Sequence, residues 1–140
     1  MTDISSYQNK KVDRRRSSYH LVFVTKYRNK LFKKPINAAI VKELLKAILQ
    51  KYCLKIYALE VAPDHVHAFV EISPEEAILP IVRNVKALSA RLIFKAIPKY
   101  RLIQRKGRLW SRYTYYESIG CVTESAIKHY IENSQDKHHT

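Results

Sequence analysis

The chain has 140 residues, 46% of them apolar, and 26 Lys and Arg against 12 Asp and Glu, a formal net charge of +14. That describes one domain with a modest core, and the charge sets aside an ordinary small-molecule enzyme in favour of a polyanionic partner: DNA, RNA or an anionic membrane. No stretch approaches the roughly 18 apolar residues of a membrane span, no apolar h-region opens the chain, and Cys53 and Cys121 form no CxxC or CxxH unit, so a cytoplasmic protein without disulfides or a zinc knuckle is expected.

In chain order, residues 1–17 read as a flexible basic arm, 18–135 as the single domain and 136–140 as a tail. Tyr19–Tyr27 (YHLVFVTKY) is β-branched and aromatic and reads as a strand. Pro35 opens a helix, and Ile40, Val41, Leu44, Leu45, Ile48 and Leu49 recur at helical spacing to about Tyr52. Lys55–Val61 and His65–Ile72 are two strands joined through Ala62-Pro63-Asp64, a hairpin-like pair. Ser73-Pro74 ends the sheet, and a helix runs from about Ile78 to Ala96 on Ile81, Val82, Val85, Leu88, Leu92 and Ile93. Tyr100–Gln104 and Trp110–Ile119 look strand-like, separated by the basic turn Arg105-Lys106-Gly107-Arg108. Gly120 breaks the pattern, and Thr123 with Glu124 starts a last helix to about Asn133. The order β-α-β-β-α-β(β)-α implies an α+β fold: a ferredoxin-like or RRM-like antiparallel sheet with helices on one face, plus a C-terminal helix. That skeleton does not by itself decide function.

The positive charge comes in blocks. Ten basic residues and one acid, Asp13, lie between Lys10 and Lys34; ten more and no acid lie between Ala77 and Tyr116. A solvated surface explains any single Lys, but forty residues without an acid suit a phosphate-backbone grip. Against that background His65 and His67 flank Val66 on a strand, so the period of two puts both imidazoles on one face. A bare HxH is as readily a solvated polar pair as a metal site. Here Pro63-Asp64 adds a carboxylate and apolar neighbours a rigid strand, a donor set suited to magnesium or manganese. Tyr130 on the last helix is either part of an apolar stripe with Val122, Ala126 and Ile127, or a nucleophile able to form a phosphotyrosine. His20, His129, His138 and His139 have no comparable company and are given no role.

Together, Pro63-Asp64-His65-Val66-His67 between apolar strands, a basic helix, the strand beginning Leu109-Trp110-Ser111, and VTESAIKHYIENSQ near the end resemble one family. These are the TnpA-type single-tyrosine HUH transposases of small bacterial and archaeal insertion sequences that move as single-stranded DNA. The resemblance spans about Ser18 to Gln135 and rests on the combination of motifs. It implies a nucleoid-associated homodimer that recognises DNA hairpins at the element ends. It further implies cutting and rejoining of single strands through a 5′-phosphotyrosine, with Mg2+ or Mn2+ and composite active sites. By matching positions His65 and His67 would be metal ligands, Tyr130 the nucleophile and Asp64 a candidate further ligand, directly or through water. The family's usual Gln, four residues after the Tyr, is Ser134 here, so Gln135 or Asp64 would complete the shell.

Lys86, Arg91, Arg105, Lys106, Arg108 and Arg112 are expected to hold DNA phosphates, with Arg14–Arg16 adding sequence-blind affinity. Tyr113, Tyr115 and Tyr116 could stack bases or pack in a core. Two other readings stay open: a non-enzymatic ferredoxin-like nucleic-acid-binding module, and a related HUH nickase of the replication or relaxase type.

Overall fold

The computed structural model describes residues 17–119. The basic arm up to residue 16, the last helix with Tyr130, Ser134 and Gln135, and the tail lie outside the described residues. Seven elements follow in order: β1 (Ser18–Thr25), α1 (Pro35–Tyr52), β2 (Lys55–Ala62), β3 (His65–Glu71), α2 (Ile78–Ala96), α3 (Lys99–Ile103) and β4 (Trp110–Ile119). Single 3-10 turns, Lys26–Arg28 and Arg105–Gly107, follow β1 and α3.

The four strands form one antiparallel sheet in the order β2-β3-β1-β4, the order of a ferredoxin-like βαββαβ unit. β1 and β3 are therefore central. Alternation along them is strict. Leu21 and Phe23 of β1 and Val66, Ala68 and Val70 of β3 face α1 and α2, joining Val41, Leu45, Ile48, Val82, Val85 and Ile93 in one core. Pro35 begins α1 at the position where its missing N–H costs nothing. A register shift between Ile56 and Ala58 lets Ile56 and Leu59 both meet the helices while Tyr57 and Ala58 pack on Phe69 across the sheet. Trp110 ties β4 to the core: its ring meets Phe23 and Phe32, and its Nε1 donates to Ser89 Oγ at 2.9 Å.

Two stretches differ from the sequence expectation: the first strand ends at Thr25, with Lys26 and Tyr27 in a 3-10 turn, and the second is α3. Lys99–Ile103 is a short helix, not the start of a strand. Pro98 caps it, and Ile97, Tyr100 and Gln104, three and four positions apart, are buried on one side. Tyr100 Oη donates to Leu31 O at 2.5 Å, which anchors the helix beneath the loop leading into α1. Five residues of apparent alternation were outweighed by helical spacing and a buried hydroxyl bond.

No helix among the described residues is long and apolar enough to cross a membrane.

Candidate metal centre and nucleic-acid interface

The Pro63–Asp64 connection joins Ala62 to His65 directly across the β2–β3 hairpin. Its two residues set where β3 begins, and hence which side chains face away from the helices. Those are His65, His67 and Phe69, with His20 and Val22 beside them on β1. All five are buried, so three imidazoles lie in a water-poor place.

His65 Nε2 and His67 Nε2 are 2.9 Å apart. Their rings are inclined by 71° with centroids 4.7 Å apart, so the two Nε2 atoms meet at an angle. Two imidazole nitrogens meeting at one point are a donor set that would suit a divalent ion completed by oxygen ligands.

Each imidazole has its own support. His65 Nδ1 meets Asp64 Oδ1 at 2.7 Å, and Asp64 Oδ2 accepts from Arg28 Nε at 3.2 Å. The Asp64 backbone is held too, its carbonyl accepting from Thr25 N at 3.0 Å and Thr25 Oγ1 at 3.1 Å. Burial pushes the Asp64 carboxyl up, but hydrogen bonds and charge from His65 and Arg28 outweigh it and hold the group below its usual range. The geometry gives Asp64 an orienting role beside the expected one of further ligand. Its carboxylate grips the back of the His65 ring, on the nitrogen remote from the converging pair, which makes it an orienting group.

His67 is oriented from the other side. His67 Nδ1 lies 3.2 Å from His20 Nε2, with the rings within 8° of coplanar and centroids 5.5 Å apart. Nitrogen therefore faces nitrogen along the ring planes. His20 faces Phe69 across the β1–β3 ladder while His67 faces Val22, so the two histidines are diagonal neighbours. Sequence reasoning gave His20 no role, because 47 positions separate it from His67 and only strand register joins them.

Among the described residues no three His, Cys, Asp or Glu side chains gather around one point. Tyr130 and Gln135, expected as nucleophile and possible ligand, lie outside the described residues.

The basic residues divide. Arg91 on α2, Arg105, Lys106, Arg108 and Arg112 are all exposed, and Arg105–Gly107 form the 3-10 turn that leads toward β4. Lys86 is different. It is half-buried, and its Nζ donates to Ser111 O at 2.7 Å and Arg112 O at 3.2 Å. Burial lowers its pKa. Two of its three donors thus serve the start of β4, leaving one for the phosphate contact expected of it. Tyr113, Tyr115 and Tyr116 are exposed on the edge strand, with Tyr115 Oη donating to Glu117 Oε1 at 2.5 Å.

Comparison with known proteins places these features. The profile of the family described as "Transposase IS200 like" matches residues 14–134. The ISDra2 transposase TnpA of Deinococcus radiodurans is 33% identical over 119 residues, covering 85% of this chain and 84% of that protein. The transposase for insertion sequence element IS200 of Salmonella typhimurium is 27% identical over 124 residues, covering 84% and 78%. A crystal structure of a candidate transposase from Deinococcus radiodurans R1 superposes with a TM-score of 0.67 at 34% identity, covering 83% of this chain and 88% of that one. A REP-associated tyrosine transposase bound to a REP hairpin shares the fold, with a TM-score of 0.55 at 13% identity over 81% and 62%. A family profile spanning most of the sequence, with a relative of this identity and coverage, establishes kinship: the chain belongs to the IS200-like transposase family.

Proposed function

We propose that the protein cuts and rejoins single-stranded DNA at insertion-sequence ends, using Tyr130 as nucleophile and a divalent metal, Mg2+ or Mn2+, held by His65 and His67. The observation that carries this reading is the convergence of the two Nε2 atoms at 2.9 Å, each ring backed by its own partner, in a chain of this family. When bound, the ion would polarise the scissile phosphate and stabilise the leaving oxygen.

The protein's own residues do the rest. The Tyr130 phenolate oxygen attacks phosphorus, the bond from phosphorus to the 3′ oxygen breaks, and that oxygen leaves as a hydroxyl by taking a proton. The 5′ end stays on the tyrosine, so the ester energy is kept for the reverse attack by another 3′ hydroxyl. Asp64 holds His65 with its proton on Nδ1, leaving the Nε2 lone pair for the ion. His20 does the equivalent for His67. Arg91, Arg105, Lys106, Arg108 and Arg112 bind backbone phosphates, favouring a hairpin such as the one seen with the REP-associated relative. In the same reading the protein acts as a homodimer.

The test uses a radiolabelled hairpin from the element end with Mg2+ or Mn2+. A covalent protein–DNA adduct that Tyr130→Phe abolishes is expected, with His65→Ala and His67→Ala removing cleavage while hairpin binding survives. Tight binding without cleavage at any metal would replace this reading with a non-enzymatic DNA-binding module.

A further inference from the structure

We propose that the turn Lys26–Arg28, beside the histidine pair, is a nucleotide subsite for single-stranded DNA: the Arg28 guanidinium holds a backbone phosphate and the Tyr27 ring stacks a base. The proposal rests on the strand-cutting reading for its place beside the reacting phosphate, and it adds a substrate contact to that site.

Backbone geometry is the first ground. Tyr27 and Arg28 have φ of 65° and 55°, two successive left-handed residues, and neither is Gly, Asn or Asp. Such strain persists only where the surroundings over-determine it. They do so here. Lys26 N donates to Leu109 O at 2.8 Å, and Thr25 Oγ1 donates to Asn29 O at 2.7 Å. Gln104, wholly buried, accepts from Asn29 Nδ2 at 2.5 Å and donates to Lys26 O at 3.2 Å and Arg108 O at 3.0 Å. Both ends of the turn are therefore fixed to the body of the fold.

The strain is not repaid by packing. Tyr27 is 59% exposed, and the Arg28 side chain is 61% exposed. What the conformation does is aim these two side chains. Arg28 Nε is turned back onto Asp64 Oδ2 at 3.2 Å, on the carboxylate that holds His65. Among the described residues the guanidinium makes no other hydrogen bond. Its terminal nitrogens keep the planar fork that matches a phosphate's oxygens. Asp64 would repel an anion, but Arg28 and Lys26 together outnumber its single negative charge at this turn. Tyr27 is largely exposed and the Lys26 ammonium lies over its ring, 5.4 Å from the centre, leaving the opposite face for a base. A cation and a ring in adjacent positions, next to a metal-binding pair, are the two contacts a single-strand groove repeats along its length.

The experiment measures fluorescence anisotropy of fluorescein-labelled oligo-dT with the full chain in EDTA, so that metal binding does not enter. Tyr27→Asn is expected to weaken binding about 5- to 150-fold, the range for losing one stacked base. Its melting temperature should not fall, because Asn adopts the left-handed region more readily. Tyr27→Phe should stay within about twofold of wild type, since either ring stacks. Arg28→Ala should weaken binding and reduce the slope of log K against log salt by about 0.7, one single-strand phosphate contact. Wild-type affinity in Tyr27→Asn, or equal loss in Tyr27→Phe, overturns the stacking contact; an unchanged salt slope in Arg28→Ala overturns the phosphate contact. A parallel adduct assay on the element-end hairpin separates this from the parent reading. Variant effects on oligo-dT without any wild-type adduct retain the subsite and remove the strand-cutting role; a wild-type adduct with indifferent variants does the opposite.

Discussion

Replacing His20 with Phe isolates one hydrogen bond at the candidate metal centre. The Phe ring can still meet Phe69 and Tyr115, whose centroids lie 6.1 Å and 6.0 Å from that of His20, but it offers His67 Nδ1 nothing. One proton arrangement that satisfies these contacts has Asp64 accepting from His65 Nδ1, His65 Nε2 from His67 Nε2, and His67 Nδ1 from His20 Nε2. Metal binding needs a lone pair on both Nε2 atoms. The His67 proton then has to sit on Nδ1 and be accepted by His20 Nε2. Losing that acceptor should weaken Mn2+ binding about 10- to 100-fold, or about 1.4–2.7 kcal/mol. Isothermal titration with Mn2+ measures it, and the 15N shifts of His67 should report the proton moving from Nε2 to Nδ1 as metal is added to wild type. A separate stability loss of about 1–3 kcal/mol is expected from the buried nitrogen left behind. Mn2+ affinity within about twofold of wild type would refute the reasoning, whatever the stability change.

Asp64→Asn should likewise weaken Mn2+ binding by about 10-fold or more. Because the folded Asp64 carboxyl is held below its unfolded value, its contribution to stability is full above about pH 4 and is lost as pH falls through the folded value. Wild type and Asp64→Asn should therefore converge in acid melts and diverge toward neutrality. Lys86→Met should lower stability by about 0.5–1.5 kcal/mol in urea melts through the lost hydrogen bonds to β4, with hairpin affinity little changed. A selective loss of hairpin affinity instead would count Lys86 among the phosphate contacts. Arg108→Ala, at an exposed position, should leave stability within about 0.5 kcal/mol and lower the salt slope of duplex-stem binding by about 0.9.

Much of the fold could be read from periodicity. The bounds of α1 and α2, the Pro63–Asp64 connection and the opposite facing of Val66 and the two histidines follow from spacing alone, and the structure has them so. Lys99–Ile103 could not be read that way, since five residues support two periods and only the burial of Tyr100 and Gln104 chooses between them. At the site, residue types were legible and directions were not. Asp64 next to a histidine announces a carboxylate, but whether it meets a metal or the back of the ring depends on the turn. His20 depends on a β1–β3 register that no local pattern encodes. The left-handed Tyr27–Arg28 pair carries no Gly or Asn to announce it, because its conformation is imposed by Gln104 from much further along the chain.

The strand order has a consequence for how the site fails. His20, His65 and His67 all sit on the two inner strands, each hydrogen-bonded on both sides, while β2 and β4 form the margins. Amides of inner strands exchange with solvent only in the rarest, most global openings. The imidazole cluster is thus insulated from fraying at the margins. Loosening of β4 or of the Lys26–Arg28 turn can alter what DNA is held while the metal-binding nitrogens stay in place until the whole domain unfolds.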